Sequence, residues 1–316
     1  MENDTFQLHP DTQIAHVELQ VADLARMTAF YGGLLGFQLI DQADGVARLS
    51  PSGTLPALLT LTERKGARIQ PQERSGLYHT AFRFSGRKTL ATTFLRVVSA
   101  SWPLQGASDH LVSEAIYFAD PEGNGIEIYR DRPREQWPRM DGTGELQMAN
   151  APLDLHKLLE EADQAAAQAG VIDAETDIGH MHLQVSDTST TAAFYHDLLG
   201  MDIIVNWPSA IFMSAGGYHH HLGANTWHSQ NAPRREDDMT GLRSYAYRVP
   251  DETGWLALLQ RVQSSQLPPH ATERDGQPGF WLPDQDGNRV ELLGPDTPAV
   301  REALAAISAA GAPAAA

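Results

Sequence analysis

The stretch HVELQV at 16–21 alternates apolar and polar residues at period two and is rich in strand formers, which predicts a half-buried strand. Asp23 then stands where a helix N-cap belongs. Apolar Ala29, Phe30, Tyr31, Leu34 and Leu35 carry the helix to Gly36, a C-terminal stop. Short apolar runs broken by turn residues predict strands near 36–40, 47–49 and 58–62. A second unit opens on GLYHTAFRF at 76–84, again alternating, and continues with a helix near 88–100 and strands near 114–118 and 125–129. Each unit reads as βαβββ.

The pattern then repeats. Residues 14–40 (IAHVELQVADLARMTAFYGGLLGFQLI) and 178–204 (IGHMHLQVSDTSTTAAFYHDLLGMDII) share 13 of 27 positions at an offset of 164. DPEGNGIE at 120–127 returns as DQDGNRVE at 284–291 at the same offset. A duplicated pair of units gives four modules and an α+β chain. The expected organisation is a disordered start at 1–10, a first two-module domain at 11–133, and a connector at 134–177 with one helix near 154–169. A second two-module domain follows at 178–297, then an Ala-rich tail at 298–316 that reads as disordered or marginally helical beyond about 305.

Composition narrows the chemistry. Forty acidic residues against 23 basic ones give a formal charge of −17, and no basic face is visible for nucleic acid or an anionic membrane surface. There is neither an apolar run long enough to span a bilayer nor a basic, apolar leader, so a soluble cytoplasmic chain is expected. The absence of cysteine excludes disulfides, thiolate metal sites and cysteine nucleophiles. Any metal must be held by Asp, Glu or the 13 histidines.

The HxxLxV strand, the AFYxxxLG helix and the DPxGNxxE ending resemble the vicinal oxygen chelate superfamily, which includes glyoxalase I, fosfomycin-resistance proteins and extradiol ring-cleaving dioxygenases. The resemblance covers about 14–130 and 178–295. Four modules look most like the two-domain catechol 2,3-dioxygenase type, and GLYH, SDHLVSEAIYFADPEGNGIEIYRDRP and YHHHLGANTW resemble its bacterial branch. The resemblance implies two domains with cup-shaped sheets. It also implies a 2-His-1-carboxylate Fe(II) site (Mn(II) having similar ligand preferences) and cleavage of a catechol-type aromatic diol by dioxygen. The rival expectations are a glyoxalase-like or thiol-transfer metalloenzyme on the same fold, and a small-molecule-binding protein without catalysis.

Matching the family's positions gives His16 and His180 on the first strands of modules one and three, and His79 and Glu127 on module two. Module four offers Glu291 but carries Ser244 where module two has His79. The family's tyrosine ten residues before the ligand glutamate is Tyr117 in module two, whereas module four has Trp281. Its acid/base histidine maps onto the run His219-His220-His221 of module three. The favoured assembly crosses modules two and three, with His79, Glu127 and His180 as ligands and His220 and Tyr117 as acid/base groups. Two alternatives stay open: His16, His79 and Glu127 within the first half, or His180, Glu291 and one of His219, His220 or His221 within the second. The match places the run in the last strand of module three, where alternation lets either His220 alone or His219 and His221 face inward. Each lone strand histidine also has an ordinary reading as a hydrogen-bonded core residue. Asp109 and His110 read as a solvated turn or as partners of the site, Asn225 and Trp227 as strand-fixing and wall residues, and Arg130 and Arg132 as partners of nearby carboxylates. Exposed sheet edges lead to the expectation of a homo-oligomer.

Overall fold

The structure, a computed structural model, describes residues 6–311. Module one comprises strand β1 (Gln13–Val21), helix α1 (Leu24–Ala29) widening into a π-helical turn over Phe30–Leu35, and strands β2 (Gln38–Ala43), β3 (Val46–Ser50) and β4 (Leu59–Glu63). Module two follows with β5 (Gly76–Arg83), α2 (Arg87–Ser99), β6 (Leu104–Asp109), β7 (Ser113–Ala119) and β8 (Gly125–Asp131). The connector carries α3 (Leu155–Leu159) and α4 (Gln164–Ala169). Module three has β9 (Asp177–Gln184), α5 (Thr188–Ala192) with a π-helical turn over Ala193–Leu198, β10 (Asp202–Trp207), β11 (Ala210–Ser214) and β12 (Leu222–Asn225). Module four has β13 (Gly241–Arg248), α6 (Glu252–Gln263), β14 (His270–Arg274), β15 (Gln277–Pro283) and β16 (Arg289–Leu293), and α7 (Pro298–Gly311) ends the description. No helix among the described residues is long and apolar enough to cross a membrane.

In every module the first strand pairs in parallel with the last, and the last three strands form an antiparallel meander. The modules then join across the sequence halves. β5 pairs antiparallel with β9 from Gly76 opposite Gln184 to Arg83 opposite Asp177. β1 pairs with β13 from Gln13 opposite Arg248 to Gln20 opposite Gly241. Each cup therefore takes one module from each half, two with three and one with four. The stretches 11–133 and 178–297 are repeats in sequence, but neither closes a cup by itself. Because strand side chains alternate, one face of each sheet packs on helices and the other lines a cup. Phe82, Ile116, Phe118 and Ile128 join Leu90 and Phe94 of α2 in the buried apolar core.

The two motifs that mark the repeat are bonded to each other. Tyr31 of AFY donates to the Asp120 carboxylate at 3.0 Å, and Asp120 also accepts from the backbone of Glu122 and Asn124 and from Asn124 Nδ2. Tyr195 and Asp284 repeat the arrangement in the second half. The Glu122 carboxylate reaches the N–H groups of Ala22 and Asp23, so the turn before β8 is fixed to the start of α1. Consecutive modules are thus tied through turns and helices, while the swapped ones are tied through strands.

Several boundaries differ from expectation. Residues 6–10 are not disordered: Leu8 is buried and its N–H bonds the Gly200 carbonyl, while residues 1–5 lie outside the described chain. The Ala-rich tail is helical through Gly311, because Val300, Leu304 and Ile307 form a buried stripe against β14, β15 and α6; residues 312–316 lie outside the described chain. The connector holds two short helices rather than one, since Asp163 caps a new start by accepting from Ala166 N. β6 was not anticipated, because LQGASD lacks the apolar alternation of a buried strand and is only partly covered.

Gly125 opens β8 where it runs beside β5, and a Cβ there would fall on the carbonyl oxygen of Tyr78. We predict that Gly125→Ala forces β8 outward and lowers stability by about 1–3 kcal/mol. The loss is measured as a reduced denaturant midpoint at unchanged m-value, and an unchanged midpoint would count against this packing.

Candidate metal centre

The centre of the module two–three cup is set by strand register. Ala81 of β5 lies between Glu127 of β8 on one side and His180 of β9 on the other, and His79 stands two residues along β5 on the same face. Ala81 is small and fully buried, so its three neighbours converge above it. His79 Nε2 and His180 Nε2 lie 3.0 and 2.9 Å from the same Glu127 oxygen, and one ligand atom from each residue lies within 4.8 Å of the others. All three side chains are buried.

Burial alone would push the Glu127 carboxyl up, but the adjacent His180 and His79 imidazoles outweigh it and hold Glu127 well below the usual carboxylate range. Burial lowers His180 to about 4, so its imidazole is neutral near pH 7 and a lone pair is available. The Nε2 of His79 is buried without a hydrogen bond despite its closeness to Glu127. Two buried imidazoles turned toward one buried carboxylate are the donor set a divalent cation takes, so these residues fit a metal.

One side of this triangle opens into a cavity of about 560 Å³. Tyr117 faces Glu127 across the β7–β8 hairpin, which is the structural meaning of their ten-residue spacing. Its hydroxyl lies 2.7 Å from His110 Nε2, and His110 Nδ1 lies 3.0 Å from the Ala149 carbonyl. Since that carbonyl can only accept, Nδ1 carries the His110 proton and Nε2 accepts from Tyr117. Burial, with the Glu127 charge beside it, raises Tyr117 well above its ordinary value and keeps it protonated. His220 lies against His180 with ring centroids 4.1 Å apart, and removal from water holds its pKa well below the usual imidazole value.

The run of three histidines is not in a strand. It precedes β12 in an irregular turn, so strict alternation does not apply, and each ring has its own environment. His219 Nε2 bonds the Asp131 carboxylate at 2.8 Å, and its Nδ1 meets His220 Nδ1 at 2.9 Å. His220 lines the cavity. His221 turns away, with Nδ1 accepting from Ala215 N at 3.2 Å, and so is not brought to the metal cluster. Asp109 is held by Arg132 at 2.6 Å and is paired with Ala151 through its backbone. Arg130 pairs with Glu114 at 2.7 Å. Asn225 accepts from Trp227 N, and Trp227 walls the cavity.

The family model of the Glyoxalase/Bleomycin resistance protein/Dioxygenase superfamily matches residues 13–128 and 177–292. The chain belongs to this superfamily. A Catechol-2,3-dioxygenase of Bacillus subtilis (strain 168) is 39% identical over 269 residues, covering 84% of this chain and 93% of the relative. Among solved structures, one from Bacillus subtilis subsp. subtilis str. 168 aligns at TM-score 0.61 and 16% identity over 94% of this chain and 88% of the other. Glyoxalase I from Zea mays aligns at TM-score 0.52 and 14% identity over 95% and 96% of the two chains. At those identities the structural likeness speaks for the superfamily fold.

The second cup, from modules one and four, has the same floor with different chemistry. Ala246 lies between His16 and Glu291, with Ser244 at the position of His79. Arg274, seven residues before Trp281 as His110 is before Tyr117, reaches into this cup. Its guanidinium makes two bonds of 2.8 Å to Glu291 and lies 3.2 Å from His16 Nε2 and from the Ser244 hydroxyl. His16 Nε2 is also 2.9 Å from Thr60 Oγ1. The alternative ligands His16 and Glu291 are therefore brought together with an arginine, in a different cup from His79 and His180. Neither alternative triad is assembled.

Sequence reasoning passed over His182, two residues after His180 on the same face of β9, where period two would have found it. Its Nε2 meets Asn225 Nδ2 at 2.9 Å and its ring lies 4.8 Å from that of His79.

We predict one divalent ion per chain by elemental analysis after dialysis. His79→Ala and Glu127→Ala are expected to abolish retention, whereas Ser244→Ala and His16→Ala retain the full ion. Loss of metal from the His16 variant with retention in a His180→Ala variant would overturn the assignment.

Proposed function

We propose that this chain is an extradiol-type dioxygenase that opens the ring of a catechol-type diol with dioxygen, using Fe(II) held by His79, Glu127 and His180. The observation that carries the reading is the two-imidazole, one-carboxylate triangle with one face open to a closed-in cavity, in a chain 39% identical to a Catechol-2,3-dioxygenase. When bound, Fe(II) supplies adjacent positions for the diol and for dioxygen and the redox capacity that joins them. Mn(II) shares these ligand preferences.

The chain's own residues handle position and protons. Tyr117, fixed as a donor to His110, presents its oxygen lone pairs to a diol hydroxyl. His220 stays neutral in its dry surroundings, and is the group able to take a diol proton and return it later. In the balanced reaction the carbon–carbon bond beside the two hydroxyls breaks. Both oxygen atoms enter the product, a hydroxymuconic semialdehyde, without an external reductant. The open strand edges at β6 and β14 support self-association of the chain.

Anaerobic Fe(II) reconstitution followed by catechols and oxygen is expected to give oxygen uptake and a yellow ring-opened product. His220→Ala and Tyr117→Phe are each expected to lower kcat by roughly 10²–10⁴-fold, with metal content unchanged. Iron-loaded protein that consumes no oxygen with any of several catechols would refute the dioxygenase reading. Turnover of a thiol adduct by a redox-silent metal form would instead place the chain with the isomerases and thiol transferases of the fold.

A further inference from the structure

The cavity above the triangle is far larger than one six-membered ring requires. Its volume of about 560 Å³ falls in the range of about 300–1,000 Å³ that takes drug-sized ligands. Two aromatic rows, one starting at His220 and one at His79, lead from the triangle to exposed indoles. On one side His220 lies 5.0 Å from Phe212, and Phe212 lies 5.5 Å from Trp207. On the other, His79 lies 5.3 Å from Tyr78, and Tyr78 lies 5.5 Å from Trp227. Both rows end in indoles that are 45% and 47% exposed and also line the cavity. Large apolar side chains left half in water beside a cavity mouth are what a second apolar group would cover.

The charge distribution points the same way. Among the described residues no lysine or arginine lines this cavity, and its one acidic group is Glu127. Arg132 is turned to Asp109, and Arg130 to Glu114. A carboxylate on the substrate would lose its water without gaining a counter-charge, inside a chain of formal charge −17. The cavity lining also includes apolar Ala107 and Met148. The connector is pinned to β6 by the paired backbones of Asp109 and Ala151.

We infer that the substrate is an uncharged catechol bearing a bulky apolar substituent, an aryl group above all, which lies against the aromatic rows that end in Trp207 and Trp227. This rests on the dioxygenase reading for the diol end. The substituent end rests on the protein wall alone, so its contribution persists without metal.

Titration calorimetry under anaerobic conditions tests this on Fe(II)-loaded and on metal-free protein, with catechol, 3-phenylcatechol, 4-phenylcatechol and 3,4-dihydroxybenzoate as ligands. The better phenylcatechol is expected to bind ~10–100-fold more tightly than catechol in both forms, and 3,4-dihydroxybenzoate more weakly than catechol. Trp207→Ala and Trp227→Ala are each expected to shrink the phenylcatechol-to-catechol ratio several-fold. Retention of one metal ion by these variants shows that they are folded. Equal affinities for catechol and both phenylcatechols, or tightest binding of 3,4-dihydroxybenzoate, would overturn the inference. A phenyl preference without oxygen consumption would leave it standing and remove only the dioxygenase reading.

Discussion

The register that sets Ala81 of β5 against His180 of β9 decides whether the His79–Glu127–His180 triangle exists, because Glu127 and His180 reach each other only across that small residue. A slip of one residue would turn His180 toward the helices and bring Gly179 or Met181 to the cup. The pairing is held at both ends: Gly76 opposes Gln184 at one, and Arg83 bonds the Asp177 carboxylate at 2.6 Å at the other. Since β5 and β9 belong to different halves of the sequence, the site requires the first strand of the second half to dock on module two. The bonds from Tyr31 to Asp120 and from Tyr195 to Asp284 keep consecutive modules in step while the strands exchange.

The second cup shows what a buried carboxylate does on this floor when histidine is missing. Glu291 is fully buried, and an isolated charge there would cost several kcal/mol. Arg274 and Arg289 supply the cation that a metal supplies in other circumstances, with Arg289 Nε 3.0 Å from the second Glu291 oxygen. Arg274 also ties Glu18 into the network at 3.3 Å, and Glu18 stands where β9 carries His182. With a guanidinium filling the cup, Ser244 needs only to offer a hydroxyl. The matched His16 is then a hydrogen-bonded core residue, kept neutral by burial and by the charge of Arg274. Duplication supplied two floors, and the local counter-ion distinguishes them.

Much of this was legible from residues. Period-two alternation located β1 and β5, the internal repeat carried them to β9 and β13, and the AFY and DPxGN motifs located the helix and the turn that bond each other. The DPxGN spacing and the Tyr117–Glu127 interval located the β7–β8 hairpin. What escaped depends on features that periodicity does not encode. β6 is an edge strand with one partner, so its residues are only partly covered and do not alternate strongly. α7 reads as low-complexity alanine because its buried stripe is only Val300, Leu304 and Ile307. Arg274 carries no motif signal, and its burial against Glu291 emerges only when β14 and β16 flank the same strand β15. The three histidines were read as a strand because β12 begins immediately after them. Gly216 and Gly217, both at positive φ, turn the chain before that strand can start.

That turn is fixed by β8, the strand that also carries Glu127. Glu127, Tyr129 and Asp131 follow one another at period two on one face. Glu127 meets the imidazoles of His79 and His180, Tyr129 packs against His180 at 5.0 Å, and Asp131 accepts from His219 and from Tyr218 at 2.8 Å each. The Asp131 carboxylate can only accept, so His219 Nε2 carries a proton toward it. In neutral His219 the Nδ1 is then an acceptor, and the 2.9 Å contact is made by the Nδ1–H of His220. This leaves the lone pair of His220 on Nε2. The same carboxylate also receives Arg83 at 3.3 Å, which balances its charge beneath the histidine turn. One face of one strand thereby sets the carboxylate of the candidate metal site and, through His219, the tautomer of the histidine beside the cavity.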